Sequence, residues 1–126
     1  MPNSIKEMLA AANASVPKIS PQEAKRLISK EGALLVDVRD AQELSARGKL
    51  DGALNVSRGM LEFRADSSGS YHNPEFQTDR PVILYCASGG RSSLSGKALQ
   101  DLGYAKVYNL GSFTEAAEAG FPTEAA

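Results

Sequence analysis

At 126 residues, 42% hydrophobic and 23% charged, the chain has room for one domain that buries about two-thirds of its unfolded surface. A net charge of −1 and a pI near 5.8 leave no electrostatic footprint for nucleic acid or an anionic membrane, so any anion site has to be local. No apolar run nears the ~20 residues of a membrane helix, and the first residues lack the basic start and apolar core expected of a secretory signal. One cysteine excludes an internal disulfide, and one histidine leaves little from which to build a metal site. A single reactive thiol is easiest to keep in a reducing compartment, which makes cytoplasmic residence the expectation.

In chain order, Ser4-Ile5-Lys6-Glu7 has the form of a capping box, and Ile5, Met8, Leu9 and Ala12 fall on one helical face. Residues 1–15 therefore read as an amphipathic helix, either docked on a domain of residues 16–126 or paired with a partner. Residues 16–19 suit a short edge strand. Ser20-Pro21-Gln22-Glu23 then combines an N-cap, a first-turn proline and an acid at the third position, for a helix carrying Ala24, Leu27 and Ile28 inward to Gly32.

Residues 33–38 form a near-continuous apolar run, the mark of a strand covered on both faces in a parallel sheet. Asp37 and Arg39 sit at its carboxyl end, where they read either as a structural ion pair or as support for a site. A short helix opens at Asp40-Ala41-Gln42-Glu43 and ends near Gly48; a third strand covers residues 52–56. Residues 58–65 make a helical turn or two. Residues 66–80 form a long polar loop of the kind that is often functional or mobile. His72 in this loop is expected to be solvated, whereas Arg58 and Arg64 are candidates for meeting an anionic substrate.

The most informative stretch follows: Val82-Ile83-Leu84-Tyr85-Cys86-Ala87-Ser88-Gly89-Gly90-Arg91-Ser92. It reads as a buried strand, a tight loop and a helix running from Arg91 to a glycine stop at Gly103. Ligands collect outside the carboxyl ends of parallel strands, where the next helix points its N-terminus. Backbone amides of residues 87–91, folded by Gly89 and Gly90, together with the helix dipole and Arg91, would favour Cys86 as a thiolate. Such surroundings lower a thiol pKa from ~8.5 to roughly 3.5–7.5. The plainer alternative is a buried cysteine acting as a small hydrophobe; a packing cysteine, however, has no need of a glycine-rich loop and an arginine. A last strand over residues 105–110 and a helix opened by Ser112 and closed at Phe121-Pro122 complete the alternation expected of one α/β domain.

From Ile19 to Pro122 the chain resembles the rhodanese family of single-domain sulfurtransferases. The likeness rests on residues 35–39, 48–56, 85–92 and 103–110, in that order and spacing. It departs from the family pattern at Lys49 and Asp51, which replace a histidine and a proline, at Gly111-Ser112 in place of a glycine pair, and in having no tryptophan. The resemblance implies an α/β fold, a five-stranded parallel sheet with helices on both faces. It implies that Cys86 attacks the sulfane sulfur of a donor such as thiosulfate and passes it from a persulfide to a thiol or cyanide, with thiosulfate, mercaptopyruvate and polysulfide as the small sulfur donors. Ala87, Ser88, Gly89 and Gly90 would hold the persulfide's outer sulfur, and Arg91 and Ser92 would brace the loop or meet donor charge. No cofactor is implied.

Other readings stand beside it. The domain could be a persulfide carrier working with a protein partner, or a binding module with an idle cysteine. Phosphatases that share this fold place five residues between cysteine and arginine; here four separate Cys86 from Arg91, a ring better sized for one sulfur atom than for a phosphate. A nucleotide loop lacks both the Rossmann glycine spacing and a Gly-Lys-Ser/Thr ending.

Overall fold

The computed structural model describes residues 4–126. Helix α1 (Ile5–Ser15) opens with the expected capping box, Ser4 Oγ accepting from the Glu7 amide at 3.1 Å and Glu7 Oε1 accepting from the Ser4 amide at 3.0 Å. Helix α2 (Pro21–Glu31) is capped by Ser20, whose Oγ accepts from the Glu23 amide, and stops at a left-handed Gly32. Then come β1 (Leu34–Asp37), α3 (Ala41–Arg47), β2 (Lys49–Leu50), β3 (Leu54–Asn55), a 3₁₀ turn (Arg58–Met60) and α4 (Leu61–Ala65). β4 (Val82–Cys86), α5 (Gly90–Asp101), β5 (Val107–Ser112), α6 (Phe113–Glu118) and β6 (Thr123–Glu124) complete the chain.

The main sheet has four parallel strands in the order β3-β1-β4-β5, one fewer than expected. The missing strand is the segment 16–19. It makes only an isolated parallel bridge, Lys18 to Asn109, because Pro17 has no amide to extend a ladder. A separate antiparallel ribbon pairs β2 with β6, Lys49 opposite Glu124 and Leu50 opposite Thr123, a contact between distant parts of the sequence that no local pattern announces.

Alternation along the strands divides the core in two, as it must when helices cover both faces. Val36, Val82, Leu84, Cys86 and Val107 face α4, α5 and Val16 at the end of α1. Leu35, Ile83 and Tyr85 face the other way, onto Ala24 and Leu27 of α2 and Phe113 and Ala116 of α6. Both central strands are buried along their length, which accounts for their unbroken apolar runs.

α1 docks on α5 rather than standing free. Asn13 Oδ1 accepts from Ser93 Oγ at 2.6 Å, and Gln100 Nε2 donates to the Ser15 carbonyl at 2.8 Å. Contact is close at Gly96, where a methyl group would come within 2.9 Å of Val16. Only part of the predicted apolar face is used: Ala12 is buried, while Ile5 and Met8 remain exposed. The loop of residues 66–80 is anchored by Phe76, buried against Tyr104, and by His72 Nε2, 2.9 Å from the Phe76 carbonyl. His72 is therefore half-buried and engaged, where solvation was expected.

Candidate active site

Cys86 ends β4 at the carboxyl edge of the sheet, with its side chain enclosed. The next two residues, Ala87 and Ser88, are exposed, and the chain then turns sharply through Gly89 at φ 104° into α5. That left-handed conformation aims the Gly89 amide at Cys86 Sγ, 3.0 Å away. It also brings the loop against β5, where a methyl group on Gly89 would lie 3.4 Å from the Gly111 Cα. β5 makes room by a bulge. Asn109 pairs with Leu84, but Gly111, at φ 95°, pairs with Tyr85, so Leu110 is passed over.

Two opposing influences act on the thiol. Burial, the larger single one, pushes its pKa up; the Ser92 hydroxyl and the amides of Ser92, Gly89 and Ser88 together outweigh it and hold the group below the ordinary thiol value. A ring of donors turned toward one sulfur is what an anionic sulfur requires. The Ser92 hydroxyl is 3.6 Å from Sγ and is itself bound to Asn109 Oδ1 at 2.7 Å.

Arg91 does not point freely at this ring. Its guanidinium forms a two-pronged pair with Glu43, 2.7 and 3.0 Å, which ties α5 to α3 and holds the Glu43 carboxyl down to about 2. Its positive charge still reaches the sulfur.

The other predicted residues divide. Asp37 and Arg39 are buried and paired with each other at 2.7 Å. Arg39 also donates to the Gly48 carbonyl at 2.8 Å and stacks 4.3 Å from the Phe113 ring centre. They brace the end of β1. Arg58 is paired with Glu62 at 2.7 Å, and Arg64 is exposed on α4. Neither takes part in the hydrogen bonds around the sulfur.

Sequence reasoning missed Glu43 and Asn109. Glu43 was visible only as the acid of a capping box, a role it also fills by accepting from the Asp40 amide at 3.2 Å. Nothing local marked Asn109, which is buried in a strand and reaches the loop through the sheet. Beside the loop a cleft of about 550 Å³ is lined by Ser88, Gly89 and Gly90, by Asn109 and Ser112, and by Leu9 of α1. No group of three or more His, Cys, Asp or Glu suited to a metal ion occurs among the described residues, and no described helix is long and apolar enough to cross a membrane.

Comparison with known proteins agrees on the fold, while the activities named for the relatives differ. A thiosulfate sulfurtransferase GlpE of Actinobacillus succinogenes is 33% identical over 110 residues, covering 86% of this chain and 91% of that one. The solution structure of a polysulfide-sulfur transferase homodimer from Wolinella succinogenes superposes with a TM-score of 0.75 at 34% identity, over 94% of this chain and 85% of that one. A Rhodopseudomonas palustris protein of unknown function, described as a possible tyrosine phosphatase, superposes with a TM-score of 0.88 at 37% identity, over 98% and 96%. The family model for the rhodanese-like domain matches residues 20–119, a span that takes in both central strands, the cysteine loop and α5, and the chain belongs to that family.

Proposed function

We propose that this chain is a sulfurtransferase that carries a sulfane sulfur on Cys86 from a small donor such as thiosulfate to a thiophilic acceptor. The observation that carries the reading is the Gly89 amide at 3.0 Å from the Cys86 sulfur, at the carboxyl end of a central parallel strand. The similarity to thiosulfate and polysulfide sulfurtransferases supports it.

In the first half-reaction the Cys86 thiolate forms a bond to the outer sulfur of thiosulfate. The sulfur–sulfur bond of the donor breaks, and sulfite leaves with the electron pair. The resulting persulfide bears its negative charge on the terminal sulfur, one bond beyond the atom that the amides of Ser88, Gly89 and Ser92 now face, so the same loop supplies the donors that offset it. In the second half-reaction a thiol or cyanide bonds to that terminal sulfur and the Cys86 thiolate is released. Polysulfide presents an equivalent sulfur and a protein persulfide is the corresponding macromolecular donor; with mercaptopyruvate the bond that breaks is the carbon–sulfur bond, and the electron pair leaves with pyruvate as its enolate.

Phosphatase chemistry fits less well. Four residues, not five, lie between Cys86 and Arg91, and the guanidinium that would have to meet phosphoryl oxygens is occupied by Glu43. Mass spectrometry after thiosulfate treatment tests the assignment: the protein should gain one reducible sulfur atom, and Cys86→Ser should gain none. Absence of the adduct with thiosulfate, mercaptopyruvate and polysulfide alike would overturn it. Aryl phosphate hydrolysis lost in Cys86→Ser would put the phosphatase reading first.

A further inference from the structure

Around the Cys86 sulfur there are more acceptors than protons to serve them. Ser92 Oγ lies 2.7 Å from Asn109 Oδ1, 3.1 Å from the Gly89 carbonyl oxygen and 3.6 Å from Cys86 Sγ. A hydroxyl has one proton to give, and neither of the two oxygens can give one back. The Gly89 carbonyl is satisfied without Ser92, since it accepts from the Ser93 amide at 3.0 Å and from Asn109 Nδ2 at 3.3 Å. The shortest contact, to Asn109 Oδ1, takes the serine proton. Ser92 is 0% exposed and Asn109 2%, so no bulk water competes for it.

We propose that Asn109 is a positioning residue that, by holding the Ser92 hydroxyl proton, decides whether that hydroxyl accepts from the Cys86 thiol or donates to its thiolate. This deepens the sulfur-transfer reading and rests on Cys86 being its nucleophile. In the thiol form the chain of donors runs from Cys86 S–H to Ser92 Oγ, and from Ser92 O–H to Asn109 Oδ1. When the thiol loses its proton to solvent base, the Ser92 hydroxyl turns to the sulfur and Asn109 Oδ1 is left buried without a donor, which opposes ionisation. In the persulfide, Sγ carries no charge and the serine proton returns to Asn109. When the acceptor bonds to the terminal sulfur and the electron pair of the broken bond falls back on Sγ, the proton turns to meet it again.

The charged groups facing this cluster are Arg91 and its carboxylate neighbours Glu43 and Asp40 from the α3 end. Strands β4 and β5 bring no charged side chain, and Tyr85 points to the opposite face of the sheet. Lys18 and Glu115 lie further out, along the neighbouring cleft.

Thiolate absorbance titrations of the wild type, Asn109→Leu, Ser92→Ala and the double variant test the proposal. A hydrogen bond worth about 0.5–1.5 kcal/mol corresponds to a shift of roughly 0.4 to 1 unit. Asn109→Leu should lower the thiol pKa by that amount, and the shift should vanish in the Ser92→Ala background. An unchanged or raised pKa, or an equal shift in both backgrounds, would overturn it. Should Asn109→Leu not fold, the wild type carries the test. The Asn109 side-chain amide resonances should titrate with the Cys86 thiol, and in Ser92→Ala they should not; resonances that stay put in the wild type would equally overturn the proposal. None of these readings uses a sulfur donor, so failure of sulfur loading and failure of this proton arrangement are separate results.

Discussion

Two strands end side by side at the carboxyl edge of the sheet, and both are followed by an arginine paired with a carboxylate. At the end of β1, Arg39 and Asp37 consume each other. The Asp37 carboxylate takes the Arg39 amide at 2.9 Å and the guanidinium at 2.7 Å, the guanidinium takes the Gly48 carbonyl, and Asn55 Nδ2 donates to the carbonyls of Asp37 and Arg39. At the end of β4, Arg91 is drawn outward to Glu43, and the amides inside the turn are left to face a sulfur. Position at the sheet edge therefore does not make a site. The first end has spent its donors on its own acceptors; the second aims them at a group whose charge can change.

The sharpest separation of the two ends comes from removing the key group of each. Cys86→Ser replaces sulfur by a poor nucleophile of similar shape, so sulfur loading from thiosulfate should fall to the detection floor while the melting temperature stays within a few degrees of wild type. Arg39→Met should do the reverse. It strands the buried Asp37 carboxylate, and breaking a buried pair from one side costs about 3–5 kcal/mol, which lowers the melting temperature by roughly 10–20 °C. Denaturant unfolding and sulfur loading on the same samples check both. Loss of loading in an Arg39→Met protein that remains fully folded would return Arg39 to the site and dissolve the contrast.

The comparison also shows what a sequence can display. Both strand ends were legible, since burial on two faces forces an unbroken apolar run, and the two glycines before Arg91 required a backbone turn around the cysteine. The two-residue spacing of Asp37 and Arg39 left a structural pair and a site role both open, and only their 2.7 Å contact in the interior shows the brace. What could not be read was anything that depends on register between distant strands. The β5 bulge that sets Asn109 and Gly111 against the loop is a property of the pairing with β4, and the Arg91–Glu43 pair joins residues 48 apart. The edge strand at 16–19 failed for a local reason that was in view, a proline within four residues.

A third substitution tests whether the turn at the end of β4 is tuned for the sulfur. Gly89→Ala puts a side chain at φ 104° and 3.4 Å from the Gly111 Cα. Strain of this kind costs about 1–3 kcal/mol, and relief comes by rotating the peptide and moving its amide off the sulfur. The thiol pKa should rise toward the ordinary value and alkylation at neutral pH should slow accordingly, with the end of β1 undisturbed. An unshifted thiol would mean that the amide contact contributes nothing and that the two ends differ only in shape.

The smallest effect belongs to the pair that draws Arg91 outward. Glu43 titrates near 2 in the folded chain against 4.5 when unperturbed, chiefly because it accepts from Arg91. A depressed carboxylate pKa stabilises the fold fully above about 4.5, and that contribution is lost as pH falls toward 2. Both side chains are about a third exposed, at 37% and 33%, so solvent screening limits the contribution to ~1 kcal/mol or less. Glu43→Gln should therefore melt slightly below wild type at pH 6, and the gap should close as both are acidified to pH 2. A gap that persists at low pH would show that Glu43 holds the loop by packing or through the Asp40 amide, and the outward pull on Arg91 would no longer account for the open ring of amides.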